Sequence, residues 1–367
     1  MSKAIIAMSG GVDSSVAAYL MKEQGYDCIG TTMKLFRNDD IGITREHTCC
    51  SLDDVEDARS VARRLDIPYY VFNFSDRFRE CVMNRFAAAY ENGITPNPCI
   101  DCNRYLKFEK LFQRARELSC EYVVTGHYAR IEYDTESGKY LLKKAVDENK
   151  DQSYMLYTMT QEQLAHTLFP LGAMTKPEVR KIAEKNGFCN AHKHDSQDIC
   201  FVTSGSYTDF IRQYTGRSYP EGHFVDTKGN ILGTHNGIIN YTVGQRRNLG
   251  ISFGKPVYVC KINADDNTVV LGDRQELYSK EADVTEFNWI SGIAPDKKIR
   301  CKVKVRYRQQ EQWAAAVPLE NGNVRLVFDE AQRAVTPGQA AVLYDGDIVL
   351  GGGIISYTLD FPTNTVV

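Results

Sequence analysis

The feature that constrains this chain most is an apolar run followed at once by a glycine-rich string. Residues 4–8 read Ala-Ile-Ile-Ala-Met, residues 9–15 read Ser-Gly-Gly-Val-Asp-Ser-Ser, and a helical pattern comes next. A strand, a glycine turn and a helix N-terminus form an anion site, because backbone N–H groups and the positive end of the helix dipole point into the turn. The serine hydroxyls would add donors, and Asp13 beside a phosphate predicts a bridging Mg²⁺. No Lys follows the glycines, which excludes the Walker A loop.

Strand and helix patterns alternate through the first half of the chain. The apolar runs predict strands over residues 3–8, 27–36, 69–74 and 122–124. The segments between them predict helices over residues 14–24, 52–65, 78–90 and 105–118, and a further helix covers 176–186. Ser51 with Asp54, and Thr175 with Glu178, match the capping-box pattern. Helices between successive strands indicate an α/β fold with a doubly wound parallel sheet, and the ligand is expected at the carboxyl ends of its strands.

Beyond about residue 216 the helical period stops and short alternating runs take over. These runs cover residues 237–243, 257–262, 299–307, 324–328 and 340–344, with turn sequences such as Glu-Asn-Gly-Asn at 320–323 between them. Alternation with frequent turns indicates antiparallel sheets, here a small mostly β domain followed by a β-barrel. We therefore predict a catalytic α/β domain over residues 1–205, a central domain over 206–275 and a C-terminal β-barrel over 276–367.

Composition narrows the class of protein further. Of the 367 residues, 43% are hydrophobic and 25% are charged, as in ordinary globular proteins. No apolar stretch approaches the roughly 20 residues of a membrane span, so we expect a cytoplasmic protein with no membrane partner. An odd number of cysteines, eleven, without an export signal favours free thiols over a disulfide framework. The net charge of −3 counts mildly against non-specific coating of nucleic acid but allows a local basic patch.

Two segments could carry thiol chemistry. Residues 95–103 contain two prolines followed by Cys99 and Cys102 at C-x-x-C spacing, which predicts a rigid loop, and residues 193–201 include Cys200. A C-x-x-C pair by itself is compatible with a redox pair, half of a zinc site, part of an iron–sulfur ligand set or buried thiols. A structural zinc site is the weaker alternative, because the sequence contains no second C-x-x-C.

Further candidates are scattered along the chain. His127 follows the strand that begins at residue 122, at the ligand edge of a parallel sheet, where a histidine is often functional. The polar segment 147–154 suggests solvated surface on its own, and Cys49–Cys50 with His47 nearby suggests a loop feature. In the β half, alternate positions of one predicted strand are basic, namely Lys302, Lys304, Arg306 and Arg308, and Arg246 and Arg247 add charge in the same half. Period two would place the four on one face, suited either to a phosphate backbone or to solvent.

Together these motifs resemble the bacterial tRNA-specific 2-thiouridylases, a family of PP-loop ATP pyrophosphatases. The shared motifs are Ser-Gly-Gly-Val-Asp-Ser-Ser at 9–15, Thr-Pro-Asn-Pro at 95–98 with Cys102-Asn103, Thr-Gly-His-Tyr at 125–128, Lys-Asp-Gln-Ser-Tyr at 150–154, Asp-Ser at 195–196, Ile-Cys-Phe at 199–201, Gly-Gln-Arg at 244–246, Arg-Tyr-Arg-Gln at 306–309, Val-Thr-Pro-Gly-Gln at 335–339 and Leu-Gly-Gly-Gly at 350–353. The resemblance covers nearly the whole chain. It implies an N-terminal PP-loop domain of the adenine nucleotide α hydrolase type that binds ATP, a small central domain that binds tRNA and a β-barrel that helps to hold tRNA.

The resemblance also implies a reaction and its partners. ATP would adenylate the C2 oxygen of the wobble uridine, position 34 of tRNA, and sulfur from a cysteine persulfide would displace AMP to leave 2-thiouridine. The expected substrates are the tRNAs for Lys, Glu and Gln, and a cysteine desulfurase or sulfur-relay protein would supply the sulfur. Because a sulfur donor must be a thiolate-level nucleophile, a low cysteine pKa in electropositive surroundings is expected.

By the same resemblance, individual residues acquire roles. Cys200 would carry the persulfide, and Cys102 would be its partner, either releasing the sulfur or forming a disulfide bond with Cys200. Asn97, Pro98 and Cys99 would face the target base. The residues implied to bind ATP, with Mg²⁺, are Ala7, Met8, Ser9, Gly10, Gly11, Val12, Asp13, Ser14, Met33 and Gly126. The residues implied to contact tRNA are His127, Lys150, Asp151, Gln152, Arg306, Tyr307 and Gln339.

One position departs from the family pattern, and rival functions exist. Many members carry Asp where this chain has Cys99, and Cys99 with Cys102 and Cys200 resembles relatives that hold a [4Fe–4S] cluster, so cluster-bound sulfide is a second sulfur source. The enzymatic rivals are argininosuccinate synthase, which does not need two reactive cysteines, GMP synthetase, which needs a glutaminase domain, and thiolases for other RNA positions. A tRNA-binding protein with an inactive PP-loop is the non-enzymatic alternative. The complete PP-loop sequence at 9–15 and the presence of both Cys102 and Cys200 argue against it.

Overall fold

The computed structural model describes residues 1–37, 40, 52–194, 199–202, 205–252 and 254–356. Its strands are β1 Lys3–Ala7, β2 Asp27–Lys34, β3 Tyr69–Asn73, β4 Tyr122–Val124, β5 Arg130–Asp134, β6 Lys139–Lys143, β7 Thr167–Leu168, β8 Gly222–Val225, β9 Ile231–His235, β10 Tyr258–Asn263, β11 Thr268–Gly272, β12 Tyr278–Trp289, β13 Ile299–Lys304, β14 Gln312–Pro318, β15 Val324–Arg333, β16 Ala340–Asp345 and β17 Ile348–Ile355.

The helices are α1 Val12–Glu23, α2 Leu52–Arg64, α3 Ser75–Phe78, α4 Asn84–Glu91, α5 Pro98–Asp101, α6 Leu111–Glu117, α7 Gln161–Ala165, α8 Lys176–Lys185 and α9 Tyr207–Thr215. Two π-helical segments cover Arg79–Met83 and Cys102–Lys110, and 3₁₀ turns cover Ser153–Leu156, Ile238–Asn240 and Arg274–Leu277. None of the helices in these ranges is both long and apolar enough to cross a bilayer. The predicted features at His47, Cys49, Cys50, the Ser51 cap and Asp195–Ser196 lie outside the described residues.

The N-terminal part is built on a five-stranded parallel sheet in the order β3-β2-β1-β4-β7. The central strand β1 alternates its side chains between two apolar layers. Ile5 packs in a core that includes Val123 of β4, while Ala4 and Ile6 pack in a second core with helix α1. Because both faces of the sheet are covered, all of residues 4–8 are buried, which explains the unbroken apolar run. The predicted doubly wound parallel sheet is confirmed.

The C-terminal half is almost entirely β-structure. Strands β8 to β11 form a four-stranded sheet in the order β10-β11-β8-β9. The next six strands, in the order β12-β15-β14-β13-β16-β17, close into a barrel because β12 also pairs with β17, for example Val284 opposite Ile355. Closure removes the exposed edges that an open sheet would present. The predicted small β domain and C-terminal barrel are confirmed.

The hairpin β5–β6 of the N-terminal part joins the barrel sheet, which the sequence patterns did not predict. Lys143 of β6 pairs with Ile348 of β17. Nearby, the Tyr154 hydroxyl donates to the carbonyl oxygen of Ala340 at 2.8 Å. One apolar core therefore contains residues from both the N-terminal part and the barrel, including Leu142, Tyr154 and Ala340.

Residues 95–97 of the predicted loop are non-helical as expected, but residues 98–103 form the start of a helix. Pro98 occupies the first helical position, where its fixed φ is already helical. The Asn97 side chain caps the helix by accepting a hydrogen bond from the Cys99 N–H at 3.2 Å. The helix predicted from residue 105 therefore begins at Pro98, and the C-x-x-C pair is rigidly placed on it.

Two predicted strands also need correction. Residues 237–243 contain a 3₁₀ turn rather than a strand, and Gly237 has φ +96°, outside the strand region. The strand predicted over 299–307 ends at Lys304, so Arg306 and Arg308 do not continue its alternation. The predicted row of four basic residues on one strand face is therefore wrong.

Candidate functional site

The string at residues 9–15 forms the turn between β1 and α1. Gly11 caps α1 without any side-chain hydrogen bond to the cap, so the first N–H groups of this helix can face an anion. Ser14 Oγ donates to the Gly11 carbonyl at 3.0 Å and accepts from the Ser9 N–H at 3.1 Å, and Ser15 Oγ donates to the same carbonyl at 3.1 Å. The hydroxyls expected to bind the anion therefore hold the loop in shape. The anion site is a backbone cradle.

Two glycines allow other backbone segments to contact this loop. Gly10 has φ +74°, and a Cβ there would lie 2.4 Å from the carbonyl oxygen of Asp54. Gly126, just beyond β4, packs so tightly on the loop that a Cβ would lie 2.8 Å from both the carbonyl carbon of Asp13 and the nitrogen of Ser14. Gly126 therefore lies against the predicted ATP loop, as the position at the end of β4 suggested.

Asp13 is held by a buried cation that sequence reasoning missed. Lys176 Nζ lies 2.7 and 2.8 Å from the two carboxylate oxygens of Asp13, and the Tyr128 hydroxyl donates to Asp13 Oδ1 at 2.8 Å. Lys176 is 7% exposed and occupies the first position of α8, directly after the N-cap residue Thr175. Because both oxygens of Asp13 face this ammonium, the carboxylate could help to hold Mg²⁺ only in company with Lys176.

The segment before Cys200, which includes Asn190 and Lys193, supports the same loop. Asn190 Nδ2 donates to the carbonyl oxygen of Gly10 at 3.0 Å. Lys193 Nζ lies 2.6 Å from the carboxylate of Asp54, whose backbone contacts Gly10. These contacts connect the segment before Cys200 to the predicted ATP loop.

Cys99 and Cys102 lie on one continuous helix, and a lysine lies beside them. The i→i+5 hydrogen bonds of the π-helical segment stack residues five positions apart, which places Lys107 on the side of Cys102. Burial raises the pKa of the Cys102 thiol to about 11, and the Lys107 ammonium opposes that shift. The surrounding protein atoms also raise the pKa of the Cys99 thiol, although the residue is exposed. The Lys107 ammonium again opposes that shift. Both thiols are therefore protonated at neutral pH, and the low pKa expected of the sulfur-donating cysteine, Cys200, stays a prediction.

His127 is buried rather than presented to solvent. Its ring lies beside Phe108 and Phe169, with Nδ1 2.6 Å from Thr125 Oγ1 and Nε2 3.2 Å from Lys107 Nζ. An ammonium can only donate, so Nε2 accepts the hydrogen bond and Nδ1 carries the ring proton. Burial, together with the Lys107 ammonium, holds the pKa of His127 well below its ordinary value, and the ring is neutral. The predicted tRNA contact of His127 stays a prediction, and in this structure the ring orients Lys107.

The three candidate ligands of an iron–sulfur cluster do not assemble into a metal site. Cys102 and Cys200 pack against the same apolar core as Phe201, but Cys102 carries a free thiol and no disulfide joins it to Cys200. Over the part of the chain that the structure describes, which includes Cys99, Cys102 and Cys200, no group of three His, Cys, Asp or Glu side chains could hold a metal ion. The residues present do not fit the cluster in this arrangement.

The second half of the segment 147–154 is largely buried, contrary to the solvated surface that its composition suggested, whereas Glu148 and Asn149 are exposed as expected. The Asp151 carboxylate is buried and accepts a hydrogen bond from the Ala145 N–H at 3.0 Å. Gln152 Oε1 accepts from the Tyr128 N–H at 3.0 Å. Polar composition misled here because local N–H groups satisfy the buried polar atoms. The tRNA contacts expected of this segment remain predictions.

Two barrel residues predicted to bind tRNA contact the cysteine side of the N-terminal part. Gln339 Nε2 donates to the Thr95 carbonyl oxygen at 2.9 Å, just before the Asn97 cap. The Tyr307 hydroxyl donates to the Asp151 carbonyl oxygen at 3.1 Å. Both side chains therefore bring the barrel against the segments that surround Cys99.

Arg306 connects the central domain to the barrel. Its Nη2 donates to the carbonyl oxygens of Val243 and Ala334, each at 3.1 Å, and to Thr336 Oγ1 at 2.5 Å. Burial and the nearby Arg333 hold the pKa of Arg306 below its usual range. The guanidinium is thus a structural link between domains, and only Lys302 and Lys304 of the predicted basic row lie on β13.

Known proteins match this chain along its length. Family models described as tRNA methyl transferase HUP domain, tRNA methyl transferase PRC-barrel domain and Aminomethyltransferase beta-barrel domain match residues 2–204, 208–273 and 279–355. The tRNA-specific 2-thiouridylase MnmA of Clostridioides difficile is 52% identical over 97% of this chain and 99% of its own length. The protein of the same name from Acetivibrio thermocellus is 54% identical over 96% and 99%. This chain belongs to the tRNA-specific 2-thiouridylase family.

A comparison with solved structures found a distant likeness to a thiouridine synthetase. A 4-thiouridine synthetase in complex with RNA and ATP is 17% identical, with a TM-score of 0.37 over 58% of this chain and 50% of that one. A likeness of that size carries no argument about function.

Two cations beside the candidate site residues, Lys176 and Lys107, could not be recognised from the sequence motifs. Lys176 reads as an ordinary helix-start lysine, since its partner Asp13 is remote in sequence. Lys107 reads as a surface residue on an α-helical wheel, and only the π-helical register brings it to the side of Cys102. Sequence analysis could have identified Lys107 only by predicting that π-helical register.

Proposed function

We propose that this chain uses ATP to replace the C2 oxygen of the wobble uridine of tRNA, position 34, with sulfur. The name of its relatives supports the reaction class, and residues 125–128 carry the structural argument. Gly126 packs on the loop at Asp13, and the Tyr128 hydroxyl binds the Asp13 carboxylate. Between them, His127 binds Lys107 beside Cys102. Residues 126–128 therefore contact both the proposed ATP loop and the helix that carries Cys102, which supports the proposal.

The proposed reaction requires the ATP loop and the cysteine helix to lie side by side. The C2 carbonyl of uracil resembles an amide, so its oxygen must become a leaving group before sulfur can replace it. Attack of that oxygen on the α-phosphorus of ATP releases pyrophosphate, whose charge the N-terminus of α1 and Lys176 would stabilise. Bound Mg²⁺ near Asp13 would supply further charge neutralisation on the phosphates.

Sulfur transfer then uses the two cysteines. In this proposal a cysteine desulfurase or relay protein in the cytoplasm loads Cys200 as a persulfide, and its terminal sulfur attacks C2 while the C2–O bond breaks to release AMP. The Cys102 thiolate attacks the Sγ of Cys200, which forms a Cys102–Cys200 disulfide and leaves sulfur on the uridine. An external thiol reduces that disulfide. Lys107 supports the step because an adjacent ammonium favours the thiolate form.

Nucleoside analysis of tRNA tests the reaction. A strain lacking the gene should lose 2-thiouridine at the wobble position of the tRNAs for Lys, Glu and Gln. The wild-type gene should restore it, whereas Cys102→Ser and Cys200→Ser should not. Cys189→Ser is the matched control, because Cys189 is an exposed thiol outside the site. Undiminished 2-thiouridine in the deletion strain would contradict the proposed function.

Iron content separates a persulfide from a cluster as the sulfur source. The persulfide route predicts that anaerobically purified, iron-free protein is fully active with a persulfide donor and that Cys99→Ser is mild. A [4Fe–4S] cluster would instead give iron, sulfide and colour that disappear together with activity in Cys99→Ser. No described contact favours the cluster, so the persulfide is the source proposed.

A further inference from the structure

One turn of the C-terminal barrel, residues 335–339, is bonded to the N-terminal part just before the cysteine helix, which begins at Pro98. The Thr95 N–H donates to the carbonyl oxygen of Pro337 at 3.0 Å. In return, Gln339 Nε2 donates to the Thr95 carbonyl oxygen at 2.9 Å. Both backbone polar groups of Thr95 therefore have partners in this barrel turn.

Gly338, in the middle of the barrel turn, packs on the same segment without room for a side chain. It has φ +87°, and a Cβ there would lie 2.2 Å from Ile94 Cγ2 and 2.9 Å from the Thr95 carbonyl oxygen. Neither atom is the free end of a flexible side chain. Residues 94–95 would therefore have to move away from any residue larger than glycine at this position.

The barrel holds this turn in place. The Gly338 N–H donates to the Ile355 carbonyl oxygen at 2.9 Å, and the Ile355 N–H donates to the Gln339 carbonyl oxygen at 2.9 Å, so the turn is bonded to β17 in both directions. Thr336 is buried, and its Oγ1 accepts a hydrogen bond from Arg306 Nη2 at 2.5 Å. A side chain added at Gly338 should therefore displace the N-terminal segment rather than the turn.

The chain between Thr95 and the first cysteine has little conformational freedom. Pro96 and Pro98 each have a fixed φ. Between them, the Asn97 side chain caps the helix by accepting a hydrogen bond from the Cys99 N–H at 3.2 Å. The position of Thr95 therefore determines where the cysteine helix begins and where its thiols lie.

The barrel contacts the cysteine helix a second time, beyond Cys102. Arg104 Nη1 lies 3.4 Å from Glu286 Oε2. Glu286 has φ +47°, where the register between β12 and β17 shifts, and a non-glycine residue keeps such a conformation only when its surroundings support it. This exposed ion pair contributes little to stability by itself. Together with the bonds to Thr95, it places barrel contacts on both sides of the two cysteines.

We propose that the barrel turn positions the cysteine helix for sulfur transfer, with Pro337, Gly338 and Gln339 acting as positioning residues through Thr95. The inference rests on the proposed function and gives the barrel a part in the chemistry besides holding RNA. In the proposed reaction Cys102 attacks the Sγ of Cys200. Such an attack requires reacting atoms aligned at about 3–3.5 Å, and a displacement of about 1 Å can lower the rate by about 100-fold.

Gly338→Ala tests this positioning role, and Gly346→Ala is the matched control. Gly346 also has a positive φ, +57°, in the next barrel turn, but a Cβ there would meet nothing within 4 Å. Both changes strain the backbone, and only the first displaces residues 94–95. In Gly338→Ala, single-turnover sulfur transfer from the persulfide-loaded chain to a wobble-uridine transcript should fall by about tenfold or more, while pyrophosphate release stays within about twofold of wild type. Gly346→Ala should match wild type in both.

The alkylation rate of Cys102 gives a second measurement that does not depend on the reaction. Its ratio to the rate at the exposed Cys189, in the same RNA-free sample, reports how firmly the cysteine helix is packed. The ratio should rise in Gly338→Ala and keep its wild-type value in Gly346→Ala. Gln339→Met removes the donor to Thr95 without straining the backbone and should also raise the ratio, so it provides the test if Gly338→Ala does not fold.

The outcomes separate the two proposals. A wild-type alkylation ratio with wild-type sulfur transfer, in Gly338→Ala or in Gln339→Met, would overturn the positioning role. An equal loss of pyrophosphate release and sulfur transfer would also overturn it, because the turn would then act on the whole site. If the wild-type chain neither releases pyrophosphate nor thiolates the transcript, the proposed function fails instead, and the alkylation ratio still decides whether the turn positions the helix.

Discussion

At the residue scale, the predicted ATP loop contains the ion pair of Asp13 and Lys176. Leaving either charge without its partner would lower the stability of the protein. Asp13 is partly exposed, but the Lys176 ammonium that it binds is almost fully buried. Removing one member leaves the other without its partner in a low-dielectric site. In the proposed reaction this ammonium would also stabilise negative charge on the departing pyrophosphate.

We therefore expect Lys176→Met to lower ATP-dependent adenylation by about 100-fold or more, the usual effect of losing a preorganised transition-state charge. Stability should fall by about 2–3 kcal/mol, because Asp13 loses its partner but keeps some solvent. Affinity for tRNA should be unchanged. Pyrophosphate release, urea unfolding and tRNA binding measure the three quantities. Lys181→Met, an exposed change on the same helix, is the control, and normal pyrophosphate release in Lys176→Met would remove Lys176 from the proposed chemistry.

Asp101, next to Cys102, gives a pH-dependent stability. Burial raises its carboxyl pKa to about 6, against the opposing effect of Arg85. An acid with a raised folded pKa binds its proton more tightly when folded, so its contribution to stability is lost as pH rises from about 3.8 to 6 and then stays level. The free energy of unfolding of wild type relative to Asp101→Asn should therefore fall by up to about 3 kcal/mol across that window. Urea titrations from pH 3.5 to pH 7.5 measure it, and a constant difference would mean that Asp101 ionises as it does in water.

At the element scale, the end of β4 docks directly on the N-terminus of α1. The contact is made by backbone atoms on both sides, with Gly126 against the peptide between Asp13 and Ser14. Backbone atoms cannot rotate away as a side chain would, so this docking depends on the absence of a Cβ. The approach of the strand to the helix therefore fixes the shape of the anion cradle.

Gly126→Ala should consequently destabilise the protein by about 2–3 kcal/mol or more and weaken ATP binding. Gly11→Ala is a matched comparison within the same loop, because its Cβ would meet only Ser9 Oγ, at 3.5 Å, and its φ is −90°. We expect that change to cost about 1 kcal/mol or less in stability. Thermal unfolding of the two variants compares them directly, and similar losses would show that β4 can move back from α1.

At the scale of the whole molecule, the half-buried guanidinium of Arg306 links the central domain to the barrel. Arg306 satisfies two carbonyl groups and a hydroxyl, and the two carbonyl groups belong to different domains. Its replacement would leave these acceptors without their donor inside the junction.

We expect Arg306→Met to lower the free energy of unfolding by about 2–4 kcal/mol, since hydrogen bonds to charged groups contribute about 1.5–3 kcal/mol each and the acceptors are partly buried. The variant should also bind tRNA more weakly, because the central domain and the barrel would no longer be held in a fixed arrangement. Arg308→Gln, two positions away and exposed, should weaken tRNA binding without changing stability. Urea unfolding and tRNA titration of both variants distinguish the roles, and unchanged stability of Arg306→Met would return Arg306 to the RNA-binding surface first predicted for it.

Local patterns in the sequence were sufficient for the architecture. The parallel sheet, α8 with its Thr175–Glu178 cap and the closed barrel follow from apolar periods and turn residues, which act over short distances along the chain. The string at 9–15 likewise determined the position of the anion cradle. The sequence analysis missed the helix start at Pro98, although its signals, the proline at the first helical position and the Asn97 cap, are local. It also missed the burial of Asp151, because a polar composition does not reveal that nearby N–H groups satisfy the carboxylate.

Only the tertiary structure decided which charged side chains are partners. Lys176 meets Asp13, His127 meets Lys107 and Arg306 meets Val243, and in each case the two residues are far apart in sequence. A lysine or arginine has the same local signature whether it is solvated or buried beside an acceptor, because its long side chain lets the fold place the charge. The sequence by itself therefore determined which reactive groups this protein contains. The packing of distant segments decided which cations lie beside those groups.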